Sequence, residues 1–129
     1  MSEAYELYQE GRARLRDGRP AQATVPLERA KRLEPEKASI REALGIAYFR
    51  ITRWEAAESE FRKVIELSPV DAYAHFALGR SLQKQGRDEE ASRHLKLAKV
   101  LERNQDAPSR RSGLRRSSGA GGSGGRPPC

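Results

Sequence analysis

Three glycines set the frame for this chain. Gly11, Gly45 and Gly79 stand 34 residues apart. Other registers keep the same step: Ala23, Ala57 and Ala91; Leu27, Phe61 and Leu95; Leu33, Leu67 and Leu101; Pro35 and Pro69. Gly18 and Gly86 share a register that Thr52 fills, and Ala30 and Ala98 share one that Val64 fills. A period of this length means that one supersecondary unit recurs, each too small to bury its apolar face alone and each packing on the next. The composition suits such an arrangement: 33% charged, 36% hydrophobic and 6% aromatic residues support a modest core spread along neighbouring units.

The unit reads as a pair of helices. In the middle unit, Ile40, Leu44, Ala47, Tyr48 and Ile51 fall at i, i+4, i+7, i+8 and i+11, one face of an α-helix. A glycine inside a helix costs ~1 kcal/mol relative to alanine, so Gly45 and Gly79 predict a close helix approach that offsets it. Ala57 and Ala91 predict the same contact from the facing helix. Pro35 and Pro69 close the second helices. Thr52-x-x-Glu55 reads as a capping box, and Asp71 and Asp88 as N-caps. Pro26 falls inside the second helix of the first unit, where it is expected to remove a hydrogen bond and bend the helix.

These residues resemble the tetratricopeptide repeat. The middle unit carries Leu44-Gly45-x-x-Tyr48, Ala57-x-x-x-Phe61 and Pro69; the third carries Leu78-Gly79-x-x-Leu82 and Ala91-x-x-x-Leu95, with Arg103 at the proline position. The first unit keeps Gly11 and Ala23-x-x-x-Leu27, but has Glu10 and Arg14 at usually apolar positions. Leu7, Arg41 and His75 stand where the family has a large aromatic. The resemblance covers residues 4–105, about four-fifths of the chain. It implies an all-α helix–turn–helix solenoid of three units over residues 1–105 (about 4–37, 38–71 and 72–105). It also implies a protein–protein interaction module, an adaptor or scaffold, rather than an enzyme.

In this family the first helices of successive units line a concave groove for a partner peptide. The corresponding residues are Tyr5, Tyr8, Arg12 and Arg16 in the first unit, Glu42, Ile46, Phe49 and Arg50 in the second, and Tyr73, Phe76, Arg80, Gln83 and Lys84 in the third. The third set forms one helical stripe roughly opposite Leu78 and Leu82. Exposed rings beside arginines are typical of binding patches, although Tyr8 and Phe49 are the two most expected to pack between units. The guanidinium groups can pair bidentately with carboxylates, so the expected ligand is an acidic peptide segment with apolar anchors. The Lys/Asn/Arg clamp of the co-chaperone subfamily has no counterpart: the matching positions are Tyr8, Arg12, Ala43, Tyr73 and Ala77, of which only Arg12 is charged.

The remaining features narrow the function classes. Net charge is +7, of which residues 106–129, with five arginines and one aspartate, supply +4. This Arg/Gly/Ser-rich tail is expected to be disordered. The alternative function is a nucleic-acid-associated protein, with the basic tail binding and the repeats recruiting a partner; no aromatic accompanies the tail arginines to stack on bases. Gly119-Ala-Gly121-Gly-Ser-Gly124 matches a dinucleotide fingerprint only in letters, because no strand precedes it and no helix follows. His75 and His94 are 19 residues apart and the single cysteine is Cys129, so no metal, cofactor or catalytic set is expected. The acidic start, without a basic or long apolar run, reads as cytoplasmic rather than secreted or membrane-bound. Leu97 and Val100 fall off the packing line of the last helix, where exposure would allow weak homodimerisation.

Overall fold

The computed structural model describes residues 2–106, with the side chain of Asp106 left aside. Six helices follow in order: α1 (Glu3–Arg16), α2 (Pro20–Leu33), α3 (Ala38–Arg50), α4 (Trp54–Leu67), α5 (Ala72–Lys84) and α6 (Asp88–Asp106). No strand occurs among the described residues. The chain divides into two compact units, Met1–Ala98 and Lys99–Cys129. Of the second, only the end of α6 belongs to the described residues; the tail expected from residue 106 lies, Asp106 apart, outside them. Inside the first unit, α1 packs on α2, α2 on α3, α3 on α4 and α4 on α5, with a lesser contact between α1 and α3.

The glycine registers do what their spacing predicts. A Cβ on Gly11 would lie 2.4 Å from Leu27 Cγ, one on Gly45 2.8 Å from Phe61 Cζ, and one on Gly79 2.7 Å from Leu95 Cγ. The 34-residue step therefore repeats a single contact, glycine of the first helix against the large apolar residue of the second. Ala23, Leu27, Ala43, Leu44 and Ala47 form one buried cluster. Ala57, Phe61, Ala77, Leu78, Leu82 and Ala91 form the next. Tyr8 packs on the first cluster and Phe49 on the second, as expected of these two rings.

The turn inside each pair also repeats. Arg19 N–H donates to Arg14 O (2.8 Å), Arg53 to Tyr48 O (2.9 Å) and Arg87 to Leu82 O (3.0 Å). This bond spans a residue in the left-handed region: Gly18 at φ +75°, Thr52 at +63° and Gly86 at +79°. It is the helix-ending geometry that favours glycine. Thr52 is thus a turn residue, and the capping box expected from Thr52 and Glu55 does not form. Arg53 is the N-cap of α4 and supplies no side-chain bond. Asp71 caps α5 by accepting from Ala74 N–H at 3.0 Å, and Ser2 caps α1 by accepting from Tyr5 N–H at 3.0 Å. Asp88 is the first residue of α6 rather than its cap. The α2 helix runs through Pro26, whose ring is buried.

Ion pairs join the second helices. Glu60 of α4, only 5% exposed, receives Lys31 of α2 at 2.9 Å and Arg41 of α3 at 3.1 Å. Lys31 also reaches Glu28 at 3.4 Å, and Glu28 accepts the hydroxyl of Tyr48. Further on, Glu58 of α4 holds Arg62 and Arg87, and both arginines also reach Glu90 of α6. Burial would raise the Glu58 carboxyl, but hydrogen bonds from Gln85 and Arg62 and the charges of Arg62 and Arg87 outweigh it and hold it below its ordinary range.

Candidate functional site

The site grows from the first helices of the second and third pairs. The packing faces of α3 and α5 bury Leu44, Gly45, Ala47, Leu78, Gly79 and Leu82. The opposite stripe of each helix is therefore free to face solvent. Ile46, Phe49 and Arg50 of α3 meet Tyr73, Phe76 and Arg80 of α5 around a cavity of about 200 Å³. Its floor adds Phe61 and Ala77. Phe61 and Tyr73 meet edge to face, with centroids 6.4 Å apart and planes at 79°, and Tyr73 lies 6.4 Å from Phe76 with planes tilted at 44°. Phe49 is steadied from behind by Trp54 at the start of α4, with centroids 4.9 Å apart and planes at 67°. Tyr73 and Phe76 are 45% and 46% exposed, which leaves apolar surface open at the rim.

Charge is distributed in a telling way. None of the ion pairs among the described residues engages Arg12, Arg16, Arg50, Arg80 or Lys84. Arg50 donates to the carbonyl of Leu15 at 3.0 Å. Arg12 sits 5.6 Å over the ring of Tyr8. Lys84 sits 5.4 Å over the ring of Trp54. Cations held against rings and carbonyls keep their charge available to an incoming carboxylate. Glu42 is half-buried and its carboxyl is raised, first by burial and then by the charge of Asp71, with Arg12 opposing. The Tyr73 hydroxyl is raised by burial and by the charge of Glu42.

The thirteen residues expected from the sequence thus separate into groups. Six line the cavity. Tyr5 and Tyr8 instead border a second, larger recess of about 480 Å³ with Lys37 and Ser39. Arg12 lies over Tyr8, Lys84 over Trp54, and Glu42 beside Asp71 and Tyr73. Arg16 and Gln83 are exposed. Phe61, Ala77 and Trp54 were not among the expected residues. Phe61 and Ala77 sit in packing registers, and only the floor of the cavity shows their second use. Trp54 begins a second helix, where nothing local marks contact with Phe49. Tyr48 and Trp54 each carry a cation over the ring, Arg53 at 5.3 Å in the first case.

His75 and His94 are not independent helix residues. His75 is 4% exposed, and its Nε2 donates to the carbonyl of Pro69 at 2.9 Å. Its Nδ1 therefore accepts, and His94 Nδ1–H donates to it at 3.2 Å. Among the described residues no three His, Cys, Asp or Glu side chains are placed to hold a metal ion. No described helix is long and apolar enough to cross a membrane.

Similar proteins share this architecture. No curated protein matches the chain in sequence. Among solved structures, the second TPR of Spaghetti (RPAP3), bound to the HSP90 peptide SRMEEVD, superposes with a TM-score of 0.74 at 20% identity, covering 78% of this chain and 93% of that one. YrrB, described as a TPR protein with an unusual peptide-binding site, gives 0.76 at 23% identity, over 81% of this chain and 54% of its own. MamA from Desulfovibrio magneticus RS-1 gives 0.73 at 26% identity, over 78% and 57%. The tetratricopeptide repeat family model matches residues 8–71 and again 43–108. Repeats of this kind generally serve as interaction modules rather than enzymes. With the period, the paired helices and the family match in agreement, the chain belongs to the tetratricopeptide repeat family.

Proposed function

We propose that this protein is an adaptor whose α1, α3 and α5 stripes hold a peptide segment of another protein. The observation that carries this reading is the ring-lined cavity between α3 and α5 with two arginines at its rim, neither engaged by a carboxylate. A cavity of about 200 Å³ suits one large apolar side chain. Arg50 and Arg80 then take a neighbouring carboxylate, with Arg12, Arg16 and Lys84 extending the positive surface. The peptide-bound state of the Spaghetti domain and the peptide-binding site of YrrB support the class of ligand. They do not supply the partner, because the clamp residues of the co-chaperone type have no counterpart beyond Arg12.

A pull-down from host lysate tests the proposal, using wild type and a Phe49→Ala/Arg80→Glu variant of matched helicity, with and without nuclease. A protein retained by wild type and lost by the variant in both conditions supports it. Equal recovery by the two, or capture abolished by nuclease, overturns it.

A further inference from the structure

The groove is not uniformly basic. Along α3 the open stripe runs Glu42, Ile46, Phe49, Arg50; along α5 it runs Tyr73, Phe76, Arg80, Lys84, with Asp71 at the N-cap. Acid therefore stands at the start of each helix, apolar surface in the middle and base at the end. The two helices lie side by side with like ends together. Glu42 feels the charge of Asp71, while Arg50 and Arg80 border the cavity that runs from Tyr73 along α5.

Neither carboxylate of the acidic edge takes part in an ion pair among the described residues. Asp71 spends one oxygen on the N–H of Ala74. Glu42 takes part in none of the hydrogen bonds or ion pairs of the described residues; Arg12 acts on it only through space. A ligand cation placed there would pair directly with a carboxylate that Arg12 reaches only from a distance. A ligand carboxylate there would add a third negative charge to two that already repel, and like-charge contact at an interface is costly. The basic edge has the opposite preference for the same reason.

We propose, building on the reading of this groove as a peptide site, that its ligand is bipolar. One large apolar side chain enters the cavity of Phe49, Tyr73 and Phe76, an acidic residue lies toward Arg50 and Arg80, and a lysine or arginine lies toward Glu42 and Asp71. Discrimination by complementary and repulsive charge together fixes the direction in which the segment lies.

A random peptide library displayed on phage tests this, selected separately on wild type, Glu42→Gln, Arg80→Gln and Phe49→Ala. Glu42→Gln removes a charge without a direct partner and is expected to leave thermal stability unchanged. The expected result is enrichment on wild type of apolar residues flanked by an acid on one side and a base on the other. The basic preference then disappears on Glu42→Gln and the acidic preference on Arg80→Gln. A synthetic peptide of the enriched sequence loses about tenfold in affinity on Glu42→Gln. Wild-type enrichment of acids on both flanks, abolished by Phe49→Ala, overturns the bipolar ligand and leaves the groove reading standing. A basic preference that survives on Glu42→Gln overturns the role given to Glu42. Absence of any binder sensitive to Phe49→Ala overturns the groove reading and this inference with it.

Discussion

Single residues in this protein carry strain and protonation effects that the repeat average conceals. Thr52 occupies φ +63° where its counterparts are Gly18 and Gly86, and a β-branched residue in that region is strained. Thr52→Gly is expected to stabilise the fold by about 1 kcal/mol, read as a higher urea midpoint at unchanged slope. His94 offers a second measurement. Its pKa is lowered, first by burial and then by His75 and Arg62, with Glu90 opposing and Arg93 adding a little. A base depressed in the fold contributes stability that is full above its unfolded value, about 6.5, and is lost as pH falls below it. Urea unfolding followed from pH 7.5 to 5 should show a decline beginning near pH 6.5, and His94→Gln should flatten it. An equal decline in the variant would assign the effect to other groups.

Elements are joined by close approach and by one buried network. At Gly45 the ring of Phe61 occupies the space a methyl would need. Overpacking of this kind costs about 1–3 kcal/mol, of which alanine's helix propensity returns ~1. Gly45→Ala is thus expected to destabilise measurably, and to do so less when Phe61 is replaced by leucine, a coupling that a double-mutant cycle reads directly. Glu60 ties α4 to two other helices, α2 through Lys31 and α3 through Arg41. Glu60→Gln leaves Arg41 without a carboxylate and Lys31 with Glu28 alone, at a cost of about 2 kcal/mol, below the range for fully buried pairs because both cations keep other partners and partial contact with water. Chemical denaturation of the variant checks that figure.

At the scale of the whole molecule the sorting of charge is the dominant fact. Among the described residues, the six cations engaged in ion pairs, Arg14, Lys31, Arg41, Arg62, Lys63 and Arg87, are not those of the groove stripes. The cations of the ion-pair networks and those proposed for the groove are therefore different residues, although Arg50 also holds the carbonyl of Leu15. Peptide affinity is accordingly expected to weaken as salt rises across the range where screening becomes short-ranged. The urea midpoint, resting on apolar clusters and partly buried pairs, should move far less. A calorimetric titration at three ionic strengths, with unfolding measured alongside, separates the two; affinity indifferent to salt would contradict the role given to the groove cations.

The sequence by itself determined the period, the two helices of each unit, and a close helix approach at Gly45 and Gly79; that the residues filling those approaches are Phe61 and Leu95, rather than the expected Ala57 and Ala91 alone, is a finding of the structure. These are legible because helical faces and close contacts constrain residue type at fixed spacing, and the repeat states the constraint three times. It also marked the exposed stripe of α5, since Tyr73 and Phe76 on the face opposite Leu78 and Leu82 remain open, whereas Tyr8, Ile46 and Phe49 pack partly on the core. Tertiary structure alone decided which stripe residues meet. Arg50 and Arg80 come to one cavity, Tyr5 and Tyr8 border another, Trp54 backs Phe49, and His75 finds His94. Lateral neighbours depend on how adjacent helices are offset and crossed, and open positions carry no packing signature from which that offset can be read. The capping box at Thr52 failed for a related reason: Thr52 takes the left-handed position that glycine holds in the other two turns, and the bond from Arg53 N–H to Tyr48 O outweighed the local preference of a threonine for an N-cap.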